Sequence, residues 1–82
     1  MDVRTDVLAC LDDVLALNGR ARGFTNDTPL LGSVPELDSM AVANLLTALE
    51  ERFGFTIDDD EIDGSVFADV ASLVAFVSRK LG

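Results

Sequence analysis

Apolar and polar positions along the chain fall into three stretches of helical spacing, separated by broken ones. Val3, Val7, Leu11, Val14 and Leu15 form one stripe, with Leu8 and Cys10 at its flanks. They predict a first amphipathic helix from residue 2 to 17 or 18, stopped by Asn18-Gly19. A second stripe, Val42, Leu45, Leu46, Leu49 and Phe53, predicts a helix over 39–53. Asp38 is placed as its N-cap, Gly54 as its left-handed stop, and Phe55 as the apolar residue that accompanies such a stop. Val70, Leu73, Val74, Val77 and Leu81, with Phe76 alongside, predict a last helix capped by Asp69. Before it, Ser65-Val66-Phe67-Ala68 reads as a short helical turn that sends Val66 or Phe67 into the core.

The connection over 19–37 is long, and Pro29, Gly32 and Pro35 forbid a continuous helix through it. Phe24, Leu30, Leu31, Val34 and Leu37 are its expected anchors against the bundle. Phe55-Thr56-Ile57 is too short to found a sheet. The expected fold is all-α, a small three-to-four-helix bundle with a long first loop, and residues 1–82 form one domain.

Charge changes this picture in the second half. Of the net −9, all of it can be placed over 36–69, where ten carboxylates face Arg52 alone. Such a surface repels nucleic acid and attracts basic protein surfaces. The longest uncharged stretch, 70–78, is too short to span a bilayer. A charged start (Asp2, Arg4, Asp6) is unlike a secretory signal, and the single Cys10 fits a reducing compartment as a small buried thiol. The expected setting is cytoplasmic.

Candidate chemistry is narrow. With no His, imidazole triads and imidazole metal ligands are excluded. The flanks of Ser39 lack the glycines of a nucleophile elbow, and no glycine is followed by the Lys-Ser or Lys-Thr of a phosphate loop. Glu50 and Glu51 are helix neighbours that diverge instead of flanking a substrate. The acidic run 58–61 lacks the spaced ligands of a calcium loop, so no metal site is expected. Arg20 and Arg22 read as solvated, the alternative being contact with the acidic second helix or a partner. What remains is Ser39 in the first turn of a helix, where unpaired N–H groups and the helix dipole welcome an esterified phosphate.

The segment Pro35-Glu36-Leu37-Asp38-Ser39-Met40, followed by Leu45-Leu46, Leu49-Glu50-Glu51 and Phe53-Gly54, resembles the acyl carrier protein family. Domain length, helix order, acidity and Thr28-Pro29-Leu30 in the loop extend the resemblance over most of the chain. It implies that 4′-phosphopantetheine, taken from coenzyme A by a phosphopantetheinyl transferase, is attached to Ser39. Asp38 and Met40 then flank the modified residue, Asp38 as cap and in presenting the site, Met40 in contact with the transferase or the arm. The chain is then no enzyme but a bacterial carrier of acyl or aminoacyl thioesters, a monomer whose partners are the loading and accepting enzymes.

One departure from the family pattern stands out. The first half of the second helix, Met40-Ala41-Val42-Ala43-Asn44, carries no charge, and the acids begin at Glu50 and Glu51. Docking is therefore expected to use apolar contact around Ala41 and Asn44, with Glu50 and Glu51 supplying steering toward basic patches. Within the family the chain looks most like stand-alone carriers of exosortase and exopolysaccharide systems. D-alanyl carriers share Leu-Asp-Ser-Met and are the nearest alternative; an unmodified acidic helical interaction module is the alternative outside the family.

Overall fold

The computed structural model describes residues 2–82, apart from the side chain of Asp59. Three helices carry the fold: α1 (Val3–Leu15), α2 (Ser39–Phe53) and α3 (Val70–Leu81). Short 3-10 turns lie at Arg20–Gly23, Asp59–Glu61 and Gly64–Phe67, and α1 packs against both α2 and α3.

Each helix starts where a carboxylate caps it. Asp2 accepts from the Thr5 N–H at 3.3 Å, Asp38 from Ala41 at 2.8 Å and Asp69 from Ser72 at 2.8 Å. The stop of α1 differs from expectation. The helix ends at Leu15, because Ala16 takes the left-handed conformation at φ 53° and Leu17 N–H bonds back to the Asp12 carbonyl at 3.0 Å. Asn18 and Gly19, also left-handed, then turn the chain into the Arg20–Gly23 turn. The Asp12 side chain fixes this exit by accepting from the N–H groups of Gly19 at 3.1 Å and Ala21 at 3.2 Å. Gly54 stops α2 as expected, at φ 74°, and Phe55 stacks on Phe53 with ring centroids 5.8 Å apart.

The core joins Val7 and Leu11 of α1, Leu45 and Leu49 of α2, and Val70, Leu73 and Val77 of α3, all fully buried. Leu30, Val34 and Leu37 anchor the long loop into it, whereas Leu31 is 48% exposed instead of packing down. On α3, Val70, Leu73 and Val77 are buried as expected, but Phe76, placed alongside the stripe, is buried too, whereas Leu81 in the last turn is 39% exposed. Both Val66 and Phe67 enter the core.

The loop is spliced to the start of α3 by backbone bonds. Leu30 N–H reaches Ala68 at 3.1 Å, Leu31 reaches Phe67 at 2.9 Å, Val70 reaches Thr28 at 3.1 Å and Ala71 reaches Asn26 at 3.0 Å. Pro29 and Asp69 face each other across this antiparallel bridge. They form its non-hydrogen-bonded pair, so the N–H that proline lacks is not missed. Among the described residues this isolated bridge is the sole β pairing.

Candidate functional site

Ser39 is the first residue of α2 and is exposed. Asp38 precedes it in extended conformation, and its carboxylate takes the Ala41 N–H, leaving the earlier first-turn N–H groups without a helical acceptor. The helix start therefore presents a hydroxyl and a positive dipole end together.

Beside it lies a cleft of about 380 Å³ lined by Leu31, Asp38, Ser39, Val42, Ile62, Asp63, Gly64 and Phe67. Four separate segments build it. Leu31 and Phe67 belong to the spliced region, Ser39 and Val42 to α2, and Ile62 to the connector between α2 and the Gly64–Phe67 turn. Asp63 is held in place as the cap of that turn, accepting from Ser65 N–H at 2.8 Å. The Ser65 hydroxyl, and then that N–H, keep the Asp63 carboxyl below the usual range. The walls are thus mainly apolar, and the exposed Ser39 forms part of them. An exposed hydroxyl at a helix start, beside an apolar cleft, fits a phosphodiester-linked arm with a greasy load.

Of the other expected site residues, Met40 is 76% exposed next to Ser39. Asn44 and Glu51 are exposed on the same face of α2, together with Ala43 and Thr47. Ala41 is half-buried and packs against the core near Leu45. Glu50 turns back toward the chain, its carboxylate accepting from Ile57 N–H at 2.7 Å. The structure therefore brings Asp38, Ser39 and Met40 together and sets Ala41 and Glu50 apart from the exposed face. Sequence reading missed Leu31, Ile62 and Phe67 as cleft residues, because the cleft exists only once four segments meet.

Arg20 pairs with Glu36, linking the first loop to the segment that leads into α2. The Glu36 carboxyl is held low by its own backbone N–H and by this guanidinium. A larger cleft of about 470 Å³ lies between α1 and the Arg20–Gly23 turn, lined by Arg4, Asp12, Asp13 and Arg22 among others, and includes no residue of the Ser39 motif. Cys10 is buried, which pushes its thiol up and away from reactivity. Among the described residues, no three His, Cys, Asp or Glu converge as metal ligands.

The family described as "phosphopantetheine attachment site" matches residues 5–77. The chain is similar to the holo acyl carrier protein of Nitrosomonas europaea, whose solution NMR structure superposes with a TM-score of 0.91 at 49% identity, covering 99% of this chain and 98% of that one. No curated protein matches. With the match spanning almost the whole domain and the helix start it contains, the chain belongs to the acyl carrier protein family, as a non-catalytic carrier of covalently attached 4′-phosphopantetheine that a phosphopantetheinyl transferase installs.

Proposed function

We propose that Ser39 is the attachment residue and that the carried acyl group rests in the cleft at its side. The observation that carries this reading is the place of Ser39, exposed at the α2 start in the wall of a cleft lined also by Leu31, Val42, Ile62 and Phe67. The attached group supplies a thiol for thioester formation; the chain itself supplies the anchor, the dipole and the apolar shelter. An apolar lining favours an acyl chain over the aminoacyl load of a D-alanyl carrier.

Partner enzymes meet the exposed face of α2. Met40 and Leu31 are two of the three large hydrophobic residues exposed on the described surface, and both stand beside Ser39. Docking there is apolar at the centre, through Met40 and Ala43, with the Asn44 amide beside them as a polar contact. Steering toward basic partners comes from Glu51, Asp58 and Asp60, which are exposed, rather than from Glu50, whose carboxylate already holds Ile57. This makes the chain a specialised carrier, working as a cytoplasmic monomer. No helix among the described residues is long and apolar enough to cross a membrane.

The test is intact mass after incubation with coenzyme A, magnesium and a broad-specificity phosphopantetheinyl transferase. The wild type should gain one phosphopantetheine and Ser39→Ala none. A gain that survives in Ser39→Ala overturns the site. No gain with several transferases on folded protein overturns the reading in favour of an unmodified interaction module.

A further inference from the structure

The walls of the Ser39 cleft differ in how they are held. Leu31 and Phe67 are fixed to each other's segments by the backbone splice, since Leu31 N–H bonds to the Phe67 carbonyl at 2.9 Å. Val42 rides on α2, whose own bonds and buried Leu45 and Leu49 fix it to α1. Ile62 belongs to neither. It lies in the connector between Gly54 and Gly64, which carries only the short Asp59–Glu61 turn and is tied down by side-chain carboxylates, by half-buried Phe55, Ile57 and Ile62 packed against the core, and by the Asp63 cap of the following turn.

Glu50 of α2 holds the near end of that connector at Ile57. The far end is held from α3: Glu61 Oε1 accepts from Lys80 Nζ at 2.8 Å and from Asp58 N–H at 3.2 Å. This pair is half-buried, with side-chain exposures of 22% for Lys80 and 30% for Glu61, and Glu61 is the immediate neighbour of Ile62. The charge balance makes the contact matter. Five carboxylates fall within 58–63, and Arg79 and Lys80 are the only cations after Arg52. Without Lys80, self-repulsion favours swinging the acidic segment outward into water, taking Ile62 with it.

We propose that the Glu61–Lys80 pair is a clasp that closes the Ile62 wall, and that it thereby sets how well the carrier shields a long acyl chain. Lys80 and Glu61 are positioning residues: neither lines the cleft, and both act through Ile62. A short acyl group does not depend on the clasp, because Leu31, Val42 and Phe67 are held independently. The inference rests on the carrier reading of Ser39 given above.

The experiment uses the full chain as wild type, Lys80→Met, which keeps an apolar stem without the charge, and Lys80→Arg, which keeps the charge. Each is modified with phosphopantetheine, confirmed by intact mass, and loaded with a butanoyl or a dodecanoyl group. Cleavage of the thioester by hydroxylamine is then followed, and amide hydrogen exchange over 57–64 is measured on the unmodified chains. In Lys80→Met, exchange in that segment should rise severalfold while α1 exchanges as before. The dodecanoyl thioester should be cleaved severalfold faster, the butanoyl one at the wild-type rate, and Lys80→Arg should restore both readouts.

Unchanged exchange in Lys80→Met overturns the clasp. So does faster exchange with unchanged dodecanoyl protection, or an equal loss for both acyl lengths. Failure of the wild type to accept phosphopantetheine would instead bring down the carrier reading, and the shielding claim with it.

Discussion

Asp38 lies next to the proposed attachment site and also caps the helix that presents it, so substitution there can separate two roles. Its carboxylate accepts from Ala41 N–H at 2.8 Å, and its carbonyl receives the first helical bond, from Val42 at 2.9 Å. Replacing a carboxylate cap with Ala costs about 1 kcal/mol. For a domain of 82 residues the unfolding entropy is about 0.17 kcal/mol/K, so Asp38→Ala should lower Tm by about 6 °C. Asn caps nearly as well as Asp, so Asp38→Asn should melt within about 2 °C of wild type. Only one carboxylate oxygen is used by the cap, and the residue is exposed. The second oxygen is therefore open to a donor or metal ion of the transferase, and Asp38→Asn should be modified more slowly despite its stability. Circular-dichroism melts and the initial rate of mass gain, measured on the same preparations, read the two roles separately. A wild-type Tm for Asp38→Ala would refute the capping argument. A wild-type modification rate for Asp38→Asn would refute the second role.

Two further outcomes follow from the same geometry. Ala16 holds a left-handed conformation that favours glycine, so Ala16→Gly should raise stability by roughly 0.5–1 kcal/mol, or about 3–6 °C in Tm; an unchanged or lower Tm would refute this account of the α1 stop. The carboxyls of Glu61, Asp63 and Asp69 are held below the usual range, Glu61 by the Lys80 ammonium, Asp63 by the Ser65 hydroxyl and Asp69 by the Ser72 N–H. Their folded pKa values lie under the unfolded ones, so their contribution is complete above the ordinary carboxylate pKa of about 4 and is lost as pH falls through the depressed values. Melts should therefore be flat from about pH 7 to about pH 5 and fall below about pH 4; a Tm that climbs on acidification would show that relief of the −9 self-repulsion dominates.

The parts of this domain legible in sequence are those whose signals are local. Both ends of α2 were readable because Asp38 and Gly54 sign them, and Ser39 stood out because its neighbours left no other chemistry. The stop of α1 was misplaced because its left-handed residue is an alanine, and because the Asp12 carboxylate that secures the exit acts across seven and nine residues. Glu50 read as a docking acid from its helical position, yet its carboxylate binds a backbone N–H seven residues on. Leu31 read as a loop anchor beside Leu30, but it opens the turn that Ser33 and Val34 close onto the Leu30 carbonyl, so Leu30 enters the core while Leu31 lines the cleft. No period in the sequence encodes a cavity assembled from four segments.

The antiparallel splice between the long loop and the start of α3 also has a topological consequence. It joins the chain just before α2 departs to the chain just after the connector returns, so the carrier-bearing part is an excursion that leaves and re-enters at one point. Opening that one junction would therefore loosen the long loop and the connector together, while α2 keeps its own hold on α1 through Leu45 and Leu49.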